Sequence, residues 1–330
     1  MAILVCGGAG YVGSHMAAEL LEQGHEPVVV DNLEKGHRAA VGKDVRFYQG
    51  DLRDPLFMDK VFSENKISSV VNYAAYSLVG ESVTQPMKYY ENNVAGALSL
   101  LKSMLKHDVK HIVFSSTAAV YGEPSRIPIT EDSPAIPVNP YGETKLTVEK
   151  MLKWYEQAYN FSYATLRYFN VAGAHHSGDI GEDHTPETHL IPIVLQTAMG
   201  NLPALPLYGN NYDTPDGTCI RDYIHVTDLA VAHILALKKL ENGSSSLIYN
   251  LGNGNGFSNK DIIDTARRVT GCEIPVEQKG RRAGDPAVLV ASSEKIKQEL
   301  GWNPVYTDLE AIIDSAWKWH SKHTNGFKSV

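Results

Sequence analysis

Ile3-Leu4-Val5-Cys6-Gly7-Gly8-Ala9-Gly10-Tyr11-Val12-Gly13 decides the fold: an apolar run enters a glycine-rich turn, and a helix-like stretch, His15 to Leu21, leaves it. Glycines at such a strand-to-helix turn let the backbone approach a pyrophosphate, whose charge then rests on the amide groups that open the helix. The glycines fit two registers, Gly8-x-Gly10-x-x-Gly13 and Gly7-x-x-Gly10-x-x-Gly13. Eighteen residues past Gly13, a second apolar run (Pro27 to Val30) ends in Asp31. A carboxylate there accepts from the adenosine ribose hydroxyls and repels a 2′-phosphate, so NAD is expected rather than NADP.

Working outward, short apolar runs near 2–6, 26–31, 45–48, 69–73, 111–115 and 163–168 alternate with helical patterns near 12–22, 56–64, 89–107 and 141–159. That alternation predicts an α/β chain with a Rossmann-type, doubly wound parallel sheet. After Arg167 the texture changes: 173–189 and 208–218 are rich in Gly, Asp, Asn, His and Thr and read as long loops. Helical and strand patterns resume at 226–240, 247–251, 259–270, 274–278 and 309–321. The expected organisation is a cofactor domain over 1–172, to which segments near 219–250 cross back, and a smaller α/β substrate-binding domain over 173–330. A second glycine cluster, Gly252 to Gly256, lacks a downstream acidic strand end and reads as a sharp turn into a helix capped by Ser258.

With 330 residues, 43% of them hydrophobic, the chain can bury a substantial core. A net charge of −8 leaves no basic face for a polyphosphate backbone, so nucleic acid is not an expected partner. Cys6, Cys219 and Cys272 are odd in number and far apart, which fits a reducing cytoplasm better than a disulfide framework. The first apolar run has no charged leader and stops at the glycine turn, so it reads as a strand and not a signal peptide, and no run is long enough to span a bilayer.

Tyr141 and Lys145 lie four apart on a predicted helix and share one face. A cation beside a phenol stabilises the phenolate, which would lower the Tyr141 pKa and make it a usable acid or base. The run Phe114-Ser115-Ser116-Thr117 leaves the Thr117 hydroxyl at the carboxyl edge of the sheet, where ligands bind in this architecture. His175, His176, Asp179, Glu182, Asp183, His184 and His189 gather in one loop, but their spacing is irregular and no metal is expected.

Together these residues resemble the extended short-chain dehydrogenases/reductases, and within them the enzymes that invert carbon 4 of UDP-hexoses. The segments that carry the likeness include LVCGGAGYVGSH, VVVDNL, GDLRD, YYENNVAG, FSSTAAVYG, NPYGETK, LRYFN, DGTCIRDYIHV and RRAGDPA. The resemblance implies NAD contacts from Gly7, Gly10, Tyr11, Val12, Gly13, Asp31, Asn32, Asp51, Leu52, Tyr73, Ala74, Ala75, Ser77, Asn93, Ser115, Tyr141, Lys145 and Phe169. It assigns Tyr141, Lys145 and Thr117 to catalysis, with Thr117 and Tyr141 meeting the sugar. Asn170, His189, Leu190, Tyr208, Arg221, Arg282, Asp285 and Leu289 are the implied remaining substrate contacts, the arginines on the diphosphate and Asp285 on the uridine ribose.

The implied activity is reversible interconversion of UDP-galactose and UDP-glucose with tightly held NAD. Another NAD-dependent UDP-sugar enzyme, such as a uronate 4-epimerase, and a non-catalytic NAD-binding sensor are the alternatives. Elimination, as in the family's 4,6-dehydratases, needs an acid and a base beside Thr117, where this chain has Ala118-Ala119. Four positions depart from better-known members: Ser77 for a Lys, Thr117 for Ser, His189 for Asn, and Leu289 where a bulky Tyr walls off the sugar N-acetyl position. The last implies room for UDP-N-acetylglucosamine. Relatives pair the helices at 89–107 and 141–159 across a homodimer, and the apolar residues Leu98, Leu101, Met104, Leu105, Val148, Leu152, Tyr155 and Tyr159 are the candidate contacts.

Overall fold

The computed structural model describes residues 1–282 and 285–327. Seven parallel strands form the main sheet, with Ala2–Cys6 inside it, third from one edge. On one side of it lie Glu26–Asp31 and Arg46–Gln49; on the other lie Ile67–Asn72, His111–Thr117, Ser162–Tyr168 and finally Leu247–Leu251. The chain order therefore reverses beside Ala2–Cys6, and the crevice at such a switch point is where ligands bind.

Period-two alternation explains how the sheet is covered on both faces. Ile3, Val5, Val29, Val71 and Val113 point into one apolar layer, filled by Met16 and Leu20 of the helix Tyr11–Glu22 and Leu229 and Leu237 of the helix Val226–Glu241. Ala2, Leu4, Val28, Val70 and Phe114 point into the other, against Val61, Leu100, Met104, Val148 and Leu152 from the helices Pro55–Glu64, Gly96–Lys106 and Pro140–Tyr159. Each such fully buried aliphatic side chain contributes about 1.5–3 kcal/mol. A separate apolar cluster, with Val194, Leu195, Ile262, Ile263 and Ile312, forms the core of the C-terminal lobe.

Two parts of this lobe differ from the pattern read in the sequence. The helix Leu190–Ala198 and the strand Ile220–His225 fall in stretches without a clear helical or alternating period. The stretch at 89–107 is not one α-helix: Pro86–Tyr89 is followed by a π-helical turn, Tyr90–Ala95, before Gly96–Lys106.

Ser258 does cap the helix Asn259–Thr270, in a reciprocal capping box with Asp261. The amides of the second glycine turn are already occupied: Asn253 and Gly254 donate to the Asp222 carboxylate at 2.6 and 3.1 Å, and Ala291 adds a third bond at 3.0 Å. Burial raises Asp222 to about 6, with those three amides pulling the other way. No described helix is long and apolar enough to cross a membrane.

Candidate active site

The helix Tyr11–Glu22 begins at Gly10 without a side-chain cap, so the amides of its first turn stay open. The turn before it is compressed to the limit that glycine allows. A Cβ on Gly13 would sit 2.1 Å from the Gly7 carbonyl oxygen, and one on Gly7, whose φ is +73°, would sit 2.7 Å from the Ala74 amide. Asp31, buried at its strand end, accepts from the Ala9 amide at 3.0 Å and the Leu33 amide at 2.8 Å, which locks the turn against the second strand. Burial raises the Asp31 pKa, and those amides oppose the rise.

These groups open on a cavity of about 460 Å³, within the range of a small-molecule site. Its wall includes Gly7, Gly10, Tyr11, Val12, Gly13, Asp31, Asn32, Asp51, Leu52, Tyr73, Ala74, Ala75, Ser77, Ser115, Thr117, Tyr141, Lys145 and Phe169. Open helix amides, side-chain-free glycines and an acidic strand end in one cavity fit a dinucleotide. Asn93 is the exception among the expected cofactor residues. It is buried behind the wall, where its side chain accepts from the Tyr76 amide at 2.8 Å and donates to the Tyr76 carbonyl and the Thr144 hydroxyl, each at 3.1 Å. Two wall residues are also engaged within the protein. The Asp51 carboxylate accepts from Arg53 at 2.9 and 2.6 Å, and the Tyr11 hydroxyl donates to the Gly173 carbonyl at 2.6 Å.

The helix Pro140–Tyr159 starts at Asn139, whose side chain accepts from the Gly142 amide, with Pro140 in the first turn. Tyr141 and Lys145 thus face the cavity one turn apart. The Lys145 ammonium donates to the Ser115 carbonyl at 2.7 Å, so the lysine is anchored to the strand that carries Thr117. Burial lowers Lys145 to about 7, against the attraction of Glu149. Burial likewise raises the Tyr141 phenol above its ordinary value, opposed by a hydrogen bond with the Thr117 hydroxyl. This corrects the expectation of a phenol lowered by the ammonium: the lysine is turned to the Ser115 carbonyl, and removal from water outweighs the local stabilisation. Thr117 also accepts from the Ala119 amide at 3.1 Å, which orients its hydroxyl.

A second cavity, of about 200 Å³, shares Asn170, Val171, Thr188 and His189 with the first and extends past Leu190, Tyr208, Arg221, Arg282 and Asp285. Arg221 is paired with Asp285, and the Arg282 guanidinium stacks 3.9 Å from the Tyr208 ring centre. Arg281, in contrast, is tied to Asn211 and stacks on Tyr212 outside the cavity wall. Leu289 lines neither cavity; it packs against the cluster of Val120, Tyr121, Ile129 and Leu146, as Phe169 also does.

Tyr168 lines the first cavity and was not singled out in the sequence; it ends a sheet strand at the carboxyl edge, and that position was the available signal. Glu182 and His184 join the same wall. The loop gathers them with Glu187 and His189, because an irregular loop can bring ligand-type residues together without any helical spacing. The two carboxylates hold His184 up to about 9 and His189 well above its ordinary value, against the desolvation that lowers both.

Residues 3–252 match the model of the NAD dependent epimerase/dehydratase family. A UDP-glucose 4-epimerase of Halalkalibacterium halodurans is 57% identical over 329 residues, covering 100% of this chain and 98% of that protein. A crystal structure of a UDP-glucose 4-epimerase superposes with a TM-score of 0.98 at 56% identity and covers 100% of both chains. The structure of UDP-glucose 4-epimerase from Bifidobacterium longum in complex with NAD⁺ and UDP superposes with a TM-score of 0.93 at 41% identity, covering 99% of this chain and 100% of that one. By the glycine turn, the cavity that it opens and these likenesses, the chain belongs to the NAD dependent epimerase/dehydratase family.

Proposed function

We propose that this protein interconverts UDP-galactose and UDP-glucose by inverting carbon 4 of the sugar. One observation carries the reading beyond family membership: a cavity lined by the glycine turn and bearing Tyr141, Thr117 and Lys145 meets, at Asn170, Val171, Thr188 and His189, a second cavity bearing Arg221, Arg282 and Asp285. When bound in the first cavity, NAD supplies a reversible two-electron oxidation at carbon 4, leaving a planar ketone reducible from either face.

The chain's own groups supply the rest. Tyr141, as phenolate, takes the proton of the 4-hydroxyl and later returns it, with Thr117 aligning that hydroxyl. Burial alone keeps the phenol protonated, so the positive charge of Lys145, and of NAD⁺ when bound, would have to bring the phenolate within reach. Lys145 stays fixed by the Ser115 carbonyl and provides positive charge on the Tyr141 side. Arg221 and Arg282 suit the diphosphate because a planar guanidinium binds phosphate oxygens in pairs. Holding the nucleotide firmly leaves the hexose free to turn. Methyl groups at Ala118 and Ala119 transfer no protons, so the ketone is not led into elimination.

The test is purified protein with UDP-galactose and no added cofactor. UDP-glucose forms with no net NADH; absence of product, or turnover confined to a UDP-uronate, overturns the proposal. Three unpaired cysteines suit a reducing compartment, for which we propose the cytoplasm; secretion of the native protein into the medium would contradict that.

The specificity reading concerns Leu289. Its side chain packs on the apolar cluster of Val120, Tyr121, Ile129 and Leu146, against which Phe169, a wall residue of the first cavity, also packs, so bulk added here is taken up by the cluster that supports that wall. UDP-N-acetylglucosamine is therefore expected to turn over, and Leu289→Tyr to reduce that turnover about 10- to 100-fold while sparing UDP-glucose. Parallel kcat/KM measurements decide it, and no wild-type turnover of the N-acetylated substrate sinks the reading.

We also propose a homodimer, on altered grounds. Leu101, Met104, Val148 and Leu152 pack inside the protomer rather than on a partner. The same helical region nevertheless exposes Met87 at 71% and Trp154 at 67%, an unusual cost for large apolar side chains. Light scattering should report two chains, and Trp154→Asp should shift the mass towards one; an unchanged monomeric mass in the wild type ends the proposal.

A further inference from the structure

Glu182, His184, Glu187 and His189 converge from a single loop at the junction of the two cavities. His189 Nδ1 lies 2.8 Å from Glu182 Oε1 and 2.9 Å from Glu187 Oε1. His184 Nδ1 lies 3.2 Å from Glu182 Oε1 and 3.6 Å from Glu187 Oε2. All four donor atoms fall within 4.8 Å of one another.

The two carboxylate side chains are only 5% and 6% exposed. Two buried anions at one point demand two positive charges. A pair of imidazolium ions meets that demand; one dication held by two neutral imidazoles meets it equally. Tetrahedral ligands at about 2.0–2.2 Å from a zinc ion stand about 3.3–3.6 Å from one another. Here the imidazole nitrogens stand 2.8–3.6 Å from carboxylate oxygens and all four donors lie within 4.8 Å of one another, so side-chain rotations that move donor atoms by about an ångström close the polyhedron. His184 Nδ1 is also shut off from solvent without an aligned hydrogen bond, which leaves that nitrogen to be satisfied by another partner.

Further shells support the arrangement. Glu187 Oε1 accepts from the amides of Thr188 and His189 at 2.7 and 2.8 Å, which fixes the carboxylate in place. Two imidazoles with two carboxylates suit zinc or cobalt(II), whereas magnesium and calcium favour all-oxygen shells. We propose that Glu182, His184, Glu187 and His189 form a four-coordinate site for a divalent transition metal. His189 lines both cavities, so an ion held on its Nδ1 takes that imidazole from the substrate and opposes substrate binding; that consequence rests on the proposed function, while the site itself does not.

The test titrates the NAD-loaded protein with zinc chloride by calorimetry and with cobalt chloride by visible absorption. One equivalent is expected, with the intense cobalt bands of four-coordinate geometry, and binding should weaken as the pH falls because protons compete for the same nitrogens. Glu187→Gln should weaken binding at least about tenfold, with secondary structure and bound NAD unchanged. A second group, Glu22, His175 and His176, also places its donors within 4.8 Å of one another, so Glu22→Gln is the control and should leave the affinity intact. No saturable binding, or binding lost in Glu22→Gln but kept in Glu187→Gln and His184→Gln, overturns the site. Zinc should raise KM for UDP-galactose with little change in kcat; a fall in kcat alone overturns the opposition to substrate. Zinc binding in a protein without epimerase activity would leave the site standing and remove the functional reading.

Discussion

Tyr141→Phe is expected to lower kcat for UDP-galactose by about 10²–10⁴-fold while the protein stays folded and keeps its NAD. Only one oxygen is removed, and the ring that fills the wall remains, so binding should change far less than the chemical step. The expected size is that of one positioned acid–base group. Burial raises this phenol, and the Thr117 hydroxyl is the group that acts against the rise. With the cation of Lys145 anchored 2.7 Å from the Ser115 carbonyl, the proton acceptor is positioned by the first turn of its helix rather than by a direct phenol–ammonium bond. Steady-state kinetics with measurement of bound dinucleotide check this. A folded, NAD-loaded Tyr141→Phe protein that epimerises at the wild-type rate would remove Tyr141 from the mechanism.

The largest stability loss is expected at Arg167. Its guanidinium donates to Glu149 at 3.0 and 2.6 Å, both side chains are almost fully buried, and Ser116 donates to the same carboxylate. The guanidinium also donates to the Tyr121 hydroxyl at 2.9 Å, which in turn donates a hydrogen bond to the Asn250 side-chain oxygen at 2.7 Å. One network thereby joins three neighbouring strands and the helix carrying Tyr141. Arg167→Leu strands a buried carboxylate and should cost about 3–5 kcal/mol of unfolding free energy. Replacing Glu149 and Arg167 together by Leu should cost less than the single change, since no charge is then left unpaired. Denaturant unfolding of the three variants measures both statements, and a single-variant loss below about 1 kcal/mol would contradict the first.

The parallel sheet was legible because each strand alternates between two apolar layers and each crossover helix carries one apolar stripe; Ile3, Leu4 and Val5 already display the rule. The strand Ile220–His225 escaped because Arg221, Asp222 and His225 interrupt any such alternation. Asp222 is there to fill the second glycine turn, a tertiary demand that local periodicity does not encode. In the candidate site, the residues of the glycine turn and of the Tyr141 helix were readable from spacing, since regular elements fix their directions. Asn93 is placed differently: it stands behind the cavity wall, where its side chain holds Tyr76 and Thr144. The cluster around Glu182 depends on loop geometry, for which spacing offers no guide.

The strand Leu247–Leu251 has a consequence for how the molecule is made. It docks in register beside Ser162–Tyr168, from Leu247 opposite Ala164 to Leu251 opposite Tyr168, after the chain has already travelled through the helix Leu190–Ala198 and the strand Ile220–His225 of the other lobe. A ribosome that has released only the first half has therefore delivered a sheet with a raw border, open to pairing with another nascent chain. The two halves are interleaved during synthesis, and neither a gene split nor a proteolytic clip between them should yield a free-standing coenzyme module.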